Sequence, residues 1–241
     1  MAELKMFSLN VRGLRNDKKR NELFYWLKRY HKVEHGFVML QETHSSKNDE
    51  DLWMKEWEGD IAFSHGTNDS RGVAILLPIN TGNFKVINQT SDNEGRLIYI
   101  TLETDNKQFT LINVYAPTKN KPKDQLLFLE KLQTIFKENE DKYIICGGDF
   151  NTYLNPTIDK DGGTIEDISN YSSELQLSLE NYNLTDIWRV SNPYTKRYTW
   201  RQNRPIIQCR LDYFFISSNI TQLVHKCDIK PSIKTDHSLL T

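Results

Sequence analysis

The segment that most constrains the fold is Tyr143-Ile-Ile-Cys-Gly-Gly-Asp149-Phe-Asn151. Residues 143–146 are apolar or small, which is typical of a short buried strand, and the two glycines predict its end in a tight turn or a close backbone approach. If the backbone stays extended, Asp149 and Asn151 project from one face, where an acid and an amide can hold a water and a phosphate oxygen. An Asx turn that only closes the strand is the alternative interpretation.

Other apolar segments predict a protein of many strands and a few helices. Strands are predicted at 4–9, 37–40, 61–63, 72–77, 84–89, 97–102, 109–114, 198–200 and 211–216. Apolar residues at helical spacing predict helices at 16–32, 49–57, 122–138 and 171–184, and the polar segment 152–170 predicts a loop. Because most strands follow one another in hairpin-like series, the order favours an α/β (α+β) fold with two sheets packed face to face and helices outside.

No repeat or linker divides the chain, so residues 1–241 are predicted to form a single domain. The helix at 122–138 is predicted to bury Leu126, Leu127, Leu129, Leu132, Ile135 and Phe136. The chain has neither Gly-x-Gly-x-x-Gly nor a phosphate-binding Gly-Lys-Ser/Thr loop, which argues against a Rossmann or P-loop protein.

The composition is that of an ordinary globular protein, but the charges are unevenly distributed. No apolar run is long enough to span a membrane, and three widely spaced cysteines predict reduced thiols in an intracellular protein. The net charge is -1, yet residues 191–210 contain no acid. Their basic residues are Lys196, Arg197, Arg201, Arg204 and Arg210. Such segregation predicts either a basic face for nucleic acid or simply a solvated surface.

Polar side chains follow or interrupt many of the predicted strands. They are Asn10, Glu42, Tyr115, Asp149, Asn151, Asp212, Asp236 and His237. Strand ends converge where sheets pack, so we expect these residues to meet, and carboxylates that meet need a cation between them. Oxygen ligands favour Mg²⁺ or Mn²⁺ over Zn²⁺, and Glu42 with Asn10 would form part of the ligand set.

His237 is the side chain of this set best suited to proton transfer near neutral pH, and Asp212 could fix its tautomer. Each residue also has a simpler interpretation. Asp212 could be an ion-paired strand residue, Tyr115 a core aromatic residue, and His237 a cap after Asp236. The occurrence of eight such residues near strand ends favours the functional interpretation.

Six motifs resemble, in order, those of the endonuclease/exonuclease/phosphatase superfamily. They are Asn10-Val-Arg-Gly13, Leu40-Gln-Glu42-Thr, Asn113-Val-Tyr115-Ala-Pro117, Gly148-Asp149-Phe-Asn151, Arg210-Leu-Asp212-Tyr and Thr235-Asp236-His237-Ser238. The resemblance extends to the end of the chain. It implies a four-layered α/β sandwich of two mixed sheets with helices outside.

The resemblance also implies how the metal and the water would be held. Glu42, helped by Asn10, would bind Mg²⁺, and Asp236 would lie near the metal or the histidine. Asp149 would orient or deprotonate the attacking water.

The remaining residues would act on the phosphate. Asn151 and Tyr115 would contact the scissile phosphate. His237, hydrogen-bonded to Asp212, would stabilise the developing charge or pass a proton.

Within the superfamily, the chain most resembles the endonuclease domain of LINE-type non-LTR retrotransposons, whose relatives include apurinic/apyrimidinic repair endonucleases. Asn-x-x-Gly-Leu before a basic helix, Leu-Gln-Glu-Thr-His and Tyr198-Thr-Trp200-Arg201 carry this likeness. Arg12 stands where the repair enzymes have an acid, so the likeness does not extend to a second metal ligand. Cys209 stands where they have a tryptophan of the abasic-sugar pocket, so strong abasic-site specificity is not expected. The residues expected to bind DNA are Arg12, Lys196, Arg197, Thr199, Trp200 and Arg201.

The resemblance implies a Mg²⁺-dependent endonuclease that nicks one strand of double-stranded DNA and leaves a 3′-hydroxyl and a 5′-phosphate. A reverse transcriptase domain C-terminal to this chain would use the hydroxyl as a primer on genomic DNA in the nucleus. The short strand after Ser238 predicts a domain excised from a larger polyprotein. The alternatives are a phosphatase or phosphodiesterase for small molecules, with the same fold, and a non-catalytic nucleic-acid-binding module.

Overall fold

A computed structural model of the chain describes residues 3–79, 84–164 and 167–241. Two six-stranded sheets pack face to face, and a small three-stranded sheet lies beside them. The strands are β1 Lys5–Asn10, β2 Gly36–Gln41, β3 Ile61–Ser64, β4 Val73–Leu76, β5 Lys85–Ser91, β6 Leu97–Thr104, β7 Lys107–Tyr115, β8 Tyr143–Asp149, β9 Lys160–Asp161, β10 Leu184–Asp186, β11 Trp200–Asn203, β12 Ile206–Cys209, β13 Asp212–Ser217, β14 Ile229–Lys230 and β15 Leu239–Leu240. The helices are α1 Asp17–Trp26, α2 Glu50–Trp57, α3 Pro122–Glu138, α4 Pro156–Asp159, α5 Asn170–Asn181 and α6 Ile187–Ser191.

Both large sheets are mixed. The strand order is β14-β15-β1-β2-β4-β3 in the first sheet and β10-β13-β8-β7-β6-β5 in the second. Strand β1 runs parallel to β2, and β7 runs parallel to β8, whereas the other pairs in these sheets are antiparallel. The carboxyl ends of each parallel pair therefore lie at one edge of their sheet. The predicted fold class is confirmed.

Three apolar cores hold four layers of secondary structure together. Between the sheets, Met39 of the first sheet lies in the same buried cluster as Ile100 of the second. Phe24 and Trp53 of helices α1 and α2 cover the outer face of the first sheet. Leu132 of α3 belongs to the core on the outer face of the second. Burying each large apolar side chain contributes about 1.5–3 kcal/mol, so the sheets are fixed firmly against each other.

Helix α3 has the predicted bounds and buries Leu129, Leu132 and Phe136 as predicted, but its inward face is rotated away from Leu126 and Leu127. Its buried residues are Gln125, Phe128, Leu129, Leu132 and Phe136. Leu127, predicted to be buried, is 57% exposed. Its neighbour Leu126 is only half-buried. Several leucines in succession fit more than one helical face, and the position of the sheet decides which face is covered.

Strand β8 does not end at its glycines, as the sequence predicted, but continues through them to Asp149. A Cβ on Gly147 would lie 2.4 Å from the ring of Phe214 in the adjacent strand. Gly148 has a φ of +137°, and a Cβ there would lie 2.1 Å from the Val114 carbonyl oxygen. The glycines therefore permit close strand packing, and the sheet itself holds Asp149 in place.

The third sheet, in the order β11-β12-β9, was not predicted as a sheet. The strand predicted at 198–200 overlaps β11 only at Trp200, and β9 falls within the predicted loop 152–170. Arg210 anchors it: Nε and Nη2 donate to the buried Asp159 at 2.8 and 3.1 Å, and Nη1 donates to Asp186 at 2.6 Å. The guanidinium also lies 4.4 Å from the ring centre of Tyr213. This cluster fixes the backbone just before Asp212.

Two predictions from composition concern the membrane and the thiols. Within the described ranges, no helix has both the length and the apolar character needed to cross a bilayer. Cys146, Cys209 and Cys227 form no disulfide.

We expect Asp159→Ala to lower the free energy of unfolding by about 3–5 kcal/mol, because it leaves the buried Arg210 charge without its main partner. Urea denaturation followed by tryptophan fluorescence measures this. The matched control is Asp141→Ala, whose side chain is 74% exposed and paired with Lys142; it should change stability by less than about 1 kcal/mol. Equal effects of the two substitutions would contradict this account of Arg210.

Candidate active site

Asn10 joins the two large sheets at the edge where their parallel strands end. Its Nδ2 donates to Oε1 of Glu42 at 2.8 Å and to Oδ2 of Asp149 at 2.9 Å. Its Oδ1 accepts a hydrogen bond from the backbone N–H of Arg12 at 3.1 Å. This set of partners defines the amide orientation, because the opposite flip would place an oxygen against two carboxylates. Asn10 thus positions the two carboxylates relative to each other.

Several non-glycine residues around Asn10 have left-handed backbone conformations. Arg12, Glu42, His44 and Asn151 have φ values of 47°, 52°, 56° and 49°. The loop after β2 is held in this shape by Gly72, whose carbonyl accepts from the Thr43 N–H at 2.9 Å. Four of the eleven non-glycine residues with positive φ among those described lie here. Such conformations cost free energy, so the surrounding hydrogen bonds must hold these residues in place.

His237 connects two carboxylates of the second sheet. Asp149 and Asp212 face each other as Cα partners in β8 and β13. Nδ1 of His237 lies 2.9 Å from Oδ2 of Asp212, and Nε2 lies 3.9 Å from Oδ2 of Asp149. All three side chains are buried. The arrangement is a carboxylate–imidazole–carboxylate chain in a largely dehydrated environment.

The proton affinities of this chain follow from its burial. Burial and the facing Asp212 carboxylate raise the pKa of Asp149 from its ordinary 3.8 to about 7. Burial alone would lower the pKa of His237, but Asp212 and Asp149 together raise it from 6.5 to about 9. Near neutral pH, His237 therefore carries a positive charge, and Asp149 is poised to gain or lose a proton.

Tyr115 and Asn151 supply hydrogen-bonding groups beside Asp149. Burial and the charges of Glu42 and Asp149 raise the pKa of the Tyr115 hydroxyl well above its ordinary value, so it remains a donor. The backbone N–H of Asn151 donates to Oδ1 of Asp149 at 2.8 Å, and its Nδ2 donates to the Ala116 carbonyl at 2.8 Å. These contacts fix the Asn151 side chain next to the Asp149 carboxylate, and the Tyr115 hydroxyl hydrogen-bonds with Glu42.

Asp236 is held by groups from two other segments. Its Oδ2 forms an ion pair with Arg12 and accepts a hydrogen bond from Nε1 of Trp200 at 2.9 Å. Its Oδ1 is buried and has no hydrogen-bond partner within the described ranges. Lys19 lies nearby, and burial and the Arg12 charge lower its pKa. Asp236 thus neutralises the charge of Arg12 at the entrance to the site.

The structure brings all eight polar residues expected from the sequence into one connected network. Of the residues expected to bind DNA, Lys196, Arg197 and Arg201 are exposed. Thr199 is fully buried, and its Oγ1 accepts hydrogen bonds from the backbone N–H groups of Leu211 and Asp212 at 2.9 and 3.1 Å. Its burial leaves no surface for DNA, so its role here is to position Asp212.

Two residues of the site were missed by sequence reasoning. The guanidinium of Arg96 lies 5.4 Å from the ring centre of Tyr115 and donates to the Tyr115 carbonyl at 3.1 Å. Nε2 of His44 lies 3.8 Å from Oε2 of Glu42. The sequence could have identified His44, because it follows a strand-end glutamate by two residues. It could not have identified Arg96, because the contact of Arg96 with β7 depends on the pairing of two strands.

The donor set suits a hard divalent cation. Ligand atoms of Asp149, Asp212 and His237 lie within 4.8 Å of one another, and Oδ1 of Asp212 is buried without a hydrogen-bond partner in the described part of the chain. An ion placed there would compete with the proton of His237. Glu42 is half-buried and fixed by Asn10. The histidine beside it, His44, has its pKa lowered by burial, so a proton on that imidazole competes less with a metal ion. Carboxylate oxygens at either place match Mg²⁺ or Mn²⁺ rather than a soft metal.

We expect the thermal stability of the metal-free protein to fall as the pH rises from 6.5 to 9. The folded state raises the pKa of His237 from 6.5 to about 9, so its contribution is complete below 6.5 and is lost as the pH rises through 9. The loss should be on the order of 2 kcal/mol. Differential scanning calorimetry in EDTA measures it.

His237→Gln should flatten this dependence, because the amide does not titrate. His225→Gln is the matched control, since His225 is exposed, and it should keep the slope. A slope that persists in His237→Gln would rule out His237 as its source.

Comparison with known proteins places this geometry in context. A transposon TX1 protein from Xenopus laevis, described as an uncharacterized 149 kDa protein, is 29% identical over 241 residues. The match covers 99% of this chain and 18% of that protein, so the chain spans less than a fifth of this relative.

Solved structures show the same fold. The AP endonuclease LMAP of Leishmania major superposes with a TM-score of 0.83 at 19% identity, covering 98% of this chain and 85% of that one. An AP endonuclease from Archaeoglobus fulgidus gives 0.77 at 20% identity, covering 99% and 98%. The 3′-5′ exonuclease NExo of Neisseria meningitidis gives 0.71 at 16% identity, covering 98% and 97%. The family model for Endonuclease/Exonuclease/phosphatase proteins matches residues 7–237, and the chain therefore belongs to the Endonuclease/Exonuclease/phosphatase family.

Proposed function

We propose that this chain is a Mg²⁺-dependent DNA endonuclease that nicks one strand and leaves a 3′-hydroxyl and a 5′-phosphate. The observation that carries the proposal is the continuous hydrogen-bonded connection from Glu42 through Asn10 to Asp149, which faces the His237–Asp212 pair. The family and its structural neighbours support a hydrolytic enzyme of the nuclease or phosphodiesterase type. The site places an acid, a cation and neutral donors around one small volume, as phosphodiester hydrolysis requires.

Asp149 is the group that would take a proton from the attacking water. Its pKa of about 7 places it near the working pH, where a general base is most effective. The water oxygen forms the new bond to phosphorus as the bond between phosphorus and the 3′ oxygen breaks, and that oxygen takes up a proton from solvent. A Mg²⁺ ion held by Glu42 and its neighbours would neutralise charge on the phosphate.

The other residues stabilise the phosphate as its charge increases. His237 is positively charged, oriented by Asp212, and faces Asp149. The Tyr115 hydroxyl and the Asn151 amide remain neutral and can donate to non-bridging oxygens. Their own hydrogen bonds hold them in place before substrate binds, which reduces the cost of ordering them.

A hairpin beside the site favours a polymeric substrate over a small molecule. Strands β11 and β12 form it, and Trp200 at its base pairs with His237 through an isolated bridge. Arg201 and Arg204 are exposed on it, within the acid-free segment 191–210. Basic residues next to a phosphodiester-cleaving site suit the flanking phosphates of DNA.

The transposon relative supports a role in transposition. We propose that the nicked 3′-hydroxyl primes reverse transcription by a polymerase domain elsewhere in the same protein, acting on genomic DNA in the nucleus. The length of the Xenopus laevis protein, of which the match covers 18%, leaves room for such a domain.

Nicking of supercoiled plasmid tests the proposed activity. The chain should convert it to open circles in Mg²⁺, and EDTA should stop the reaction. DNA polymerase should extend the nicks directly, because they carry 3′-hydroxyl ends. Asp149→Ala and His237→Ala should each lower the rate about a hundredfold or more. The exposed-site controls Asp141→Ala and His225→Ala should cleave normally, and full activity in either active-site variant would refute the assigned roles.

Salt dependence distinguishes a DNA enzyme from a small-molecule phosphatase. If Arg201 and Arg204 contact DNA phosphates, replacing both with glutamine should weaken the salt dependence of binding. The slope of the logarithm of the DNA association constant against the logarithm of the salt concentration should fall in magnitude by about 2. Lys137→Gln is the control, because Lys137 lies in the last turn of α3. The residue after that helix, Asn139, accepts a hydrogen bond from Thr110 in the first half of β7, away from the site. Fluorescence anisotropy with a DNA duplex measures binding. Salt-independent binding would favour the phosphatase, and binding without cleavage would favour a non-catalytic module.

A further inference from the structure

Asp236, the acid next to His237 in the sequence, is already ion-paired with an arginine of the protein. Asp236 forms an ion pair with Arg12, and the same carboxylate oxygen accepts the indole N–H of Trp200 at 2.9 Å. The Arg12 side chain is 51% exposed, so the pair lies at the entrance rather than in the core. One oxygen of Asp236 is thus saturated by protein donors.

The position of Arg12 is fixed by its backbone. Its φ of 47° lies in the left-handed region, and its N–H donates to Oδ1 of Asn10 at 3.1 Å. Nζ of Lys19 donates to the carbonyl oxygens of Val11 and Arg12 at 2.6 and 2.9 Å. The Lys19 ammonium is thereby held beside the backbone of Arg12, close enough for its charge to interact with both Asp236 and Glu42.

These fixed charges oppose a second divalent ion beside Asp236. Such an ion would have to displace the guanidinium from the carboxylate or lie close to two like charges. Glu42 accepts a hydrogen bond from Asn10 and lies near His44, and among the described residues it has no guanidinium bonded to it. The two acids therefore differ: Asp236 is ion-paired with a guanidinium, whereas Glu42 is not.

We propose that the Arg12 guanidinium takes the place of a second divalent cation, so that the active site binds one metal ion, on the Glu42 side. This inference rests on the proposed metal-dependent function and specifies its stoichiometry. It also assigns Arg12 a role besides substrate binding. Its guanidinium would supply a permanent positive charge beside the bound phosphate, in place of the charge of a second metal ion.

Mn²⁺ binding measures the stoichiometry without any reference to activity. Free Mn²⁺ is followed by electron paramagnetic resonance during titration of the purified chain, and we expect one site. Arg12→Asp removes the cation, frees Asp236 and adds a carboxylate at a backbone conformation that aspartate tolerates. It should bind two ions.

Arg15→Asp is the matched control, since it makes the same charge change at an arginine paired with Asp49 outside the site; it should still bind one ion. Arg12→Asn, which removes the charge without adding an acid, should bind a second ion more weakly than Arg12→Asp. Circular dichroism checks that each variant is folded.

Two sites in the wild-type chain would overturn the inference and leave the proposed nuclease intact. So would an unchanged count of one in folded Arg12→Asp. Binding of no Mn²⁺ by the wild-type chain would instead remove the metal-dependent function on which the inference rests.

Discussion

The arrangement of the active site depends on two buried carboxylates that face each other. Asp149 and Asp212 are direct neighbours across β8 and β13, and their repulsion at low water content would be prohibitive without positive charge between or beside them. The imidazole of His237 supplies that charge from a distant part of the chain. Much of the local architecture keeps this imidazole in position, including Thr199, which fixes the backbone of Asp212.

The fold solves this electrostatic problem by geometry. Parallel pairs β1–β2 and β7–β8 end at one edge, so residues far apart in sequence meet there. Because three apolar cores fix the two sheets against each other, the hydrogen bonds among the polar residues at this edge are not needed to hold the sheets together. They serve instead to orient the side chains of the site.

Features encoded locally were predictable from the sequence, and features that depend on packing were not. Strand-end residues such as Glu42 and Asp149 could be found because each terminates an apolar segment. The path of β8 through Gly147 could not, since it depends on the ring of Phe214 in a neighbouring strand. The contact of Arg96 with Tyr115 and the burial of Thr199 likewise arise from pairings between distant segments. The Endonuclease/Exonuclease/phosphatase resemblance identified the fold because its motifs record those pairings indirectly.

The base of the β11–β12 hairpin has a consequence for how such proteins can diverge. Residues 199–201 share backbone hydrogen bonds with residues 236–238, since Arg201 donates to the Asp236 carbonyl and Ser238 donates to the Thr199 carbonyl. The tip, around Arg204 and the 70% exposed Ile206, has no such tie to residues 236–238 among the described contacts. Substitutions at the tip therefore leave the backbone contacts beside His237 intact, whereas substitutions at the base disturb them, so the two ends of one ribbon can vary independently.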